Sequence, residues 1–288
     1  MAGKLVAERY GTENLTLLFA DVNMEHPDNY RFLHVAHAWI GGELVILDNG
    51  GKTIWDVFKE GRFLGNSRVD LCSRVLKREP MRKWLEDNCD PEHTVSYLGF
   101  DWTEEHRNVK AQRYWNPWKM EAPMCWEPVM DKAEGMAAMA AAGVQPPWLT
   151  RMGFPHANCG GGCVKAGIGS FQRLRKISPE TYAQWEWNEE QMRQFLGRDV
   201  AILTDRRGKK RRPLALRELR ERDAVDPTLF DGEDDDGSCN CFTPPEDNEA
   251  AARREPPRVA NSQRQRAAPG DATGDRSGRA APAVLVAW

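Results

Sequence analysis

The 288-residue chain is 41% hydrophobic, enough to bury one substantial α/β core or a core with a small subdomain. Its net charge of −3 supplies no global basic field, which argues against nucleic-acid binding through overall charge. It has no apolar run near the roughly 18 residues of a membrane span and no basic-then-apolar leader, and it reads as a cytoplasmic protein with no membrane partner.

In chain order, Met1 to Tyr10 predicts a short helix closed by Gly11. Leu15 to Ala20 is a continuous apolar run of strand length, the pattern of a strand buried on both faces in a parallel sheet. Pro27 and Asp28 open a helix through Trp39, Gly41 and Gly42 break it, and Glu43 to Leu47 gives a second strand. This is a βαβ rhythm that begins one element late. A short helix around Trp55 to Phe58, a loop from Gly61 to Asp70, a helix from Cys72 to Leu85 and a strand from Thr94 to Leu98 follow. Loops that follow strands in an open α/β sheet gather at one edge, so Asp21 to Glu25 and Gly99 to Arg107 are expected to converge on one crevice. Tyr114 to Trp126 carries too many prolines for a regular element, and its Trp115, Trp118 and Trp126 offer stacking surfaces for a planar ligand. Asp131 caps a helix to Ala142.

The next stretch, Arg151 to Lys165, is the centre of the chain's chemistry. Cys159 and Cys163 are separated only by glycines, so the backbone between them can turn tightly enough to aim both sulfurs at one point. His156 and Lys165 flank the pair with a base, a catalytic candidate, and a cation. Two readings are open, a metal-ligand loop or a flexible loop with two buried thiols. A four-thiolate site needs two more of Cys72, Cys89, Cys125, Cys239 and Cys241, and seven cysteines without a leader favour a metal or redox site over a disulfide framework. His34 and His37 lack companions for a metal set.

Pro179 to Leu196, with Ser178 before it and Gly197 after it, predicts a helix. Val200 to Leu203 and Leu214 to Leu216 suggest a hairpin whose tip carries Arg206, Arg207, Lys209, Lys210, Arg211 and Arg212, either a nucleic-acid contact or a solvated turn. Residues 243–288 lose all periodicity and are expected to be a disordered tail. The resulting division is an α/β domain over 1–145, a Cys-containing region over 146–242 and the tail.

Several pieces together resemble the phosphoadenosine phosphosulfate (PAPS) reductase-like branch of the PP-loop superfamily, the adenine nucleotide alpha hydrolases. Phe19-Ala20-Asp21-Val22 with Glu25, Pro27, Tyr30 and Phe32 is similar to its second strand and turn. Arg68 to Lys77, with Pro80 and Trp84, resembles its Cys-(Thr/Ser)-Arg-x-Leu-Lys segment. Tyr97 to Asp101 with Glu104, Glu105 and Arg107 resembles its Gly-x-Arg/Asp stretch, and Leu149 to Cys163 its closing Gly-Phe…Cys…Cys segment. The resemblance implies a doubly wound, mostly parallel, Rossmann-like sheet with a Cys-rich C-terminal subdomain. It also implies an adenine nucleotide such as ATP with Mg²⁺, bound near Asp21, Glu25, Gly99 and Asp101, and phosphate or sulfate held by Arg74, Lys77 and Arg107. A [4Fe–4S] cluster or zinc would sit on Cys72, Cys159, Cys163 and either Cys239 or Cys241, unless Cys239 or Cys241 is instead a mobile catalytic thiol. The implied activity is sulfonucleotide reduction or sulfur transfer, with two alternatives: sulfur transfer to nucleic acid, or a metal-stabilised scaffold without catalysis. The family's Ser-Gly-Gly-x-Asp-Ser phosphate loop does not occur in this sequence, and the chain begins where the first helix should already be under way, so strand one and its loop are expected to be missing.

Overall fold

The computed structural model describes residues 1–66, 69–207 and 210–226, together with the backbone of 283–287. Helix α1 (Ala2–Tyr10) ends at Gly11, whose φ of 81° lets its N–H reach back to the Ala7 carbonyl. The apolar run forms β1 (Leu15–Ala20), followed by α2 (Pro27–Ile40) and β2 (Glu43–Leu47). Pro27 takes the first turn of α2, where its missing N–H costs nothing, and His26 Nδ1 accepts from the Asp28 N–H at 3.1 Å. After α3 (Ile54–Glu60), α4 (Leu71–Ser73) runs through a π-helical turn, Arg74–Arg78, into α5 (Glu79–Asn88). Then come β3 (Val95–Tyr97), α6 (Glu105–Tyr114), β4 (Lys119–Glu121) and α7 (Lys132–Ala141), with α7 opened by a reciprocal capping box between Asp131 and Glu134. The remaining elements are α8 (Trp148–Arg151), α9 (Ile168–Ile177), α10 (Pro179–Leu196), β5 (Leu203–Asp205), β6 (Arg212–Leu214), α11 (Leu216–Val225) and β7 (Ala283–Ala287).

The described residues make a mixed α/β protein in which helix predominates and both sheets are small. The larger sheet has the order β2-β1-β7-β3-β4, parallel throughout, and β5 pairs with β6 as an antiparallel hairpin. Side chains alternate across β1. Leu18 and Ala20 pack with Met81, Leu85, Leu98 and Trp115 on one face, and Leu15 and Leu17 pack with Val6, Tyr97 and Met124 on the other. No helix among the described residues is long and apolar enough to cross a membrane.

Two expectations need correction. The last part of the presumed disordered tail is a strand: Ala283–Ala287 lies between β1 and β3, with Leu17 opposite Leu285 and Tyr97 opposite Leu285 on the other side. The middle of the sheet is therefore taken by a strand from the far end of the chain. An unbroken Ala-Val-Leu-Val-Ala run suits a slot paired on both edges, whereas the polar composition of the surrounding tail masked it. The rest of 243–288 lies outside the described residues. The Trp-rich segment also holds a strand, β4, within the proline-free window between Pro117 and Pro123.

The largest apolar cluster joins Val22, Ile54, Trp55, Phe58, Cys72 and Leu76 to Leu149, Phe171, Trp185 and Leu219, so residues on both sides of position 145 share one core. That core positions the cysteine loop against the end of β1.

Candidate functional site

Because the five strands are parallel, the residues that follow β1 and β3 gather at one edge of the sheet, where β7 also ends. The loop leaving β1 is built tightly: Asp21 Oδ1 accepts from the Asn23 N–H at 2.8 Å and from the Tyr30 hydroxyl at 2.9 Å. Burial, reinforced by that carboxylate, pushes the Tyr30 phenol well above its ordinary value. Asn49, at the exit of β2, donates to the Asp21 carbonyl at 2.8 Å and to the Leu76 carbonyl at 3.1 Å.

The second contact exposes the logic of the π turn. Pro80 has no N–H to give to the carbonyl four residues earlier, which is that of Leu76, and its ring crowds that position. The helix widens over Arg74–Arg78, and the freed carbonyl finds Asn49 instead. Lys77, carried on the widened turn, is 2% exposed and points into the core beside the cysteines.

The cysteine loop is fastened to the same place. Cys159 donates its N–H to Glu25 Oε2 at 2.9 Å, and Asn29 Nδ2 bridges Glu25 Oε2 at 3.0 Å and the Ala157 carbonyl at 2.6 Å. Asp28 takes the Trp148 N–H at 2.5 Å, so the first turn of α2 holds both ends of the segment from α8 to the loop. Inside the loop Cys159 has φ 52°, a left-handed conformation that a non-glycine residue holds only when its surroundings impose it. Gly162 is fixed differently: a Cβ there would stand 2.2 Å from Trp185 Cε2.

Three thiols meet in this pocket. Cys72, Cys159 and Cys163 are all buried and free. Burial, then the neighbouring Cys163 sulfur, pushes the Cys72 thiol up to about 12. A hydrogen bond from Cys159 and the nearby His156 and Lys77 bring Cys163 down to about 6, while the same hydrogen bond holds Cys159 well above its usual value. Burial pulls Lys77 down, but Glu25 and the three sulfurs outweigh it and leave the ammonium charge favoured. The Lys77 to Glu25 ion pair spans 3.7 Å, too long for a hydrogen bond, so Lys77 Nζ and Glu25 Oε1 are both buried without a hydrogen-bond partner among the described residues. The two ring nitrogens of His156 share that condition. Among the described residues, no three His, Cys, Asp or Glu side chains already stand in ligand geometry around one point. The donors are of the thiophilic kind, three sulfurs and an imidazole, but their placement among the described residues is not that of a metal site.

The predicted site residues thus divide. Asp21, Glu25, Lys77, Cys72, Cys159, Cys163 and His156 come together. Gly99 and Asp101 follow β3 at the same sheet edge, where a Cβ on Gly99 would meet nothing within 4 Å and Asp101 caps the turn at Thr103 through a 2.9 Å bond. Arg107 is bound to Glu104 and lies over the Phe100 ring at 4.4 Å. Arg74 faces Glu79 at 3.4 Å. Cys239, Cys241 and Lys209 lie outside the described residues. In the hairpin, Arg207, Arg212 and Arg222 converge on Asp205 at 3.1, 3.0 and 2.9 Å, so two of the basic residues expected at the tip are engaged by acid. Sequence reasoning missed Asn29 and Asn49, whose amides knit the site; a lone asparagine carries no spacing signal.

Comparisons with family models, with characterised proteins and with solved structures find no match to this chain.

Proposed function

We propose that this protein is a PAPS reductase-like member of the PP-loop superfamily with a doubly wound, Rossmann-like sheet. In this reading it binds an adenine nucleotide at the carboxyl ends of β1, β7 and β3 and acts on sulfur beside a thiolate-held metal centre. The observation that carries the reading is the 2.9 Å bond from the Cys159 N–H to Glu25, which ties the sulfur loop to the loop leaving β1, the edge where open parallel sheets take ligands. The position of β7 supports it, because with β7 between β1 and β3 the five strands make one parallel sheet.

Cys72, Cys159 and Cys163 would hold the metal. A [4Fe–4S] cluster would supply electron or sulfur transfer, and zinc would supply a staple. Glu25 is given to positioning rather than to the nucleotide, since one of its oxygens serves the cysteine loop and the other faces Lys77. Asp21, Gly99 and Asp101 remain for the nucleotide.

Anaerobic purification with iron and zinc quantified, followed by calorimetric titration with ATP and Mg²⁺, tests the reading. Metal that is lost in a Cys159→Ser/Cys163→Ser variant, together with saturable nucleotide binding, supports it; a protein with neither metal nor nucleotide sinks it. Metal without nucleotide would favour the scaffold alternative, which draws support from the absence of a Ser-Gly-Gly-x-Asp-Ser loop in the sequence and from the engaged oxygens of Asp21.

A further inference from the structure

We propose that the cavity between the end of α10 and the β5–β6 hairpin is a binding site for a small organic anion, a phosphate or similar oxyanion head on an apolar body. The site is separate from the cysteine loop and does not rest on the reading above.

The chain leaves this cavity for local reasons. Helix α10 stops at Gly197, whose φ of 59° is a left-handed cap, and the backbone turns away through Arg198 and Asp199 before β5 begins. The segment after α3 passes the same gap at Phe63 and Leu64, and Arg198 Nη2 donates to the Arg62 carbonyl at 3.4 Å, tying the two segments together. The cavity that these segments and the hairpin bound has a volume of about 310 Å³, at the small end of the roughly 300–1,000 Å³ of ligand sites.

Its lining is divided between an apolar part and a charged rim. Leu64, Leu196 and Leu203 are buried, and half-buried Phe63 and Val200 extend the surface they make. The rim is exposed and carries three cations, Arg198, Arg211 and Arg212, against one acid, Asp199. Asp199 is taken by Arg193, which is not part of the lining, at 3.0 Å. Arg212 is held by Asp205 and by Glu218, each at 3.0 Å. Arg198 and Arg211 have no acid partner among the described residues. A guanidinium is a planar fork of donors that matches phosphate and carboxylate oxygens, so two such forks beside an apolar cavity select an anion with an apolar body. A nucleic-acid backbone would engage the cations alone, whereas the buried leucines give affinity only to a ligand that enters.

Phenyl phosphate titrated into the full, isotope-labelled chain and followed by amide NMR tests the site. The expected result is saturable shifts at Leu64, Leu203 and Thr204, all of which line the cavity. They should appear at lower concentration than with inorganic phosphate, which lacks the apolar body, or with benzyl alcohol, which lacks the charge. Arg198→Gln/Arg211→Gln should weaken phenyl phosphate at least about tenfold, as the loss of hydrogen bonds to a charged group does. Arg198→Lys/Arg211→Lys should recover part of that affinity, which separates lost charge from lost folding. Absence of saturation, shifts confined to the sheet edge, or unchanged affinity in Arg198→Gln/Arg211→Gln would overturn the proposal. So would a single-stranded oligonucleotide that displaces phenyl phosphate and depends on the same arginines, because the surface would then belong to nucleic acid.

Discussion

Proline placed at two neighbouring positions of β7 tests whether this strand occupies the middle of the sheet. Successive N–H groups along a strand point to opposite sides, so Val284 and Leu285 donate toward different neighbours. A strand paired on both edges has no harmless position, whereas an edge strand tolerates proline wherever its N–H faces solvent. Here β7 is in register with β1 from Leu15 to Phe19 and with β3 from Val95 to Tyr97, so 284 and 285 both fall where the two ladders run together. Each substitution removes a ladder bond and forces a ring against the adjoining strand, at a cost of about 3 kcal/mol. The cost is felt by the whole sheet, because β1 and β3 do not pair with each other and are joined only through β7. Against a total stability of about 5–15 kcal/mol this is a large fraction. With a urea slope of about 1–3 kcal/mol/M, Val284→Pro and Leu285→Pro should each lower the unfolding midpoint by about 1–3 M. Tryptophan fluorescence follows the transition, and amide exchange at 284 and 285 should be slow in the unmodified chain. Two midpoints unchanged from the parent would refute the assignment of β7 to the sheet. Tolerance at one position only would move it to an edge.

Three other perturbations probe the surroundings of the site. Gly162→Ala drives a methyl group into Trp185, with 2.2 Å between Cβ and Cε2, and should lower stability by about 1–3 kcal/mol in thermal unfolding and disturb metal uptake; a neutral result would mean that the loop is not packed on α10. Glu189 is held up to about 7 from 4.5 by burial, against the opposing bonds it accepts from the Ile202 and Leu216 N–H groups. The folded state therefore holds this proton more tightly than the unfolded chain. The associated stability is full below pH about 4.5 and is lost as pH rises from there through about 7, so Glu189→Gln should flatten the melting temperature over that window, and an unaltered profile would contradict it. Asp205→Asn removes the carboxylate shared by Arg207, Arg212 and Arg222 and should cost about 1–3 kcal/mol while increasing salt-dependent retention on DNA. Equal retention of both proteins would show that these ion pairs are not what withholds the hairpin from nucleic acid.

Much of the fold is legible where one physical signal dominates a window. Leu15–Ala20 and Glu43–Leu47 are apolar runs bounded by breakers, and Pro179–Leu196 lies between Ser178 and Gly197; all three emerge with those bounds. The misses have local causes. β4 is a three-residue strand within a proline-rich stretch, and β7 lies after a long polar tail, so in both cases the composition of the neighbourhood outweighs the few residues that form the ladder. The helix predicted over Cys72–Leu85 is correct as helix, but only the register of Pro80 against Leu76 explains its π turn. At the site, Cys159-Gly-Gly-Gly-Cys163 announces itself through spacing. Its union with Glu25 across 134 positions of sequence is a tertiary fact that no local pattern encodes.

That union also explains why a lysine and a glutamate lie buried beside three cysteines. Breaking a buried ion pair by removing one partner strands the other charge at a cost of several kcal/mol, so Lys77 and Glu25 belong to the site only as a pair. Glu25 has a second duty in accepting the Cys159 N–H, and Lys77 a second set of neighbours in the sulfurs. The ammonium favours the ionised form of each sulfur, most effectively at Cys163, and is itself favoured by the carboxylate that anchors their loop. Pro80, by opening the helix at Leu76, turns Lys77 toward them, and Asn49 accommodates the opening by bonding the freed carbonyl and Asp21 together. The end of β1, the π turn and the cysteine loop are therefore one electrostatic unit, and a change in the charge of the sulfurs acts directly on residues at the edge where the nucleotide is proposed to bind.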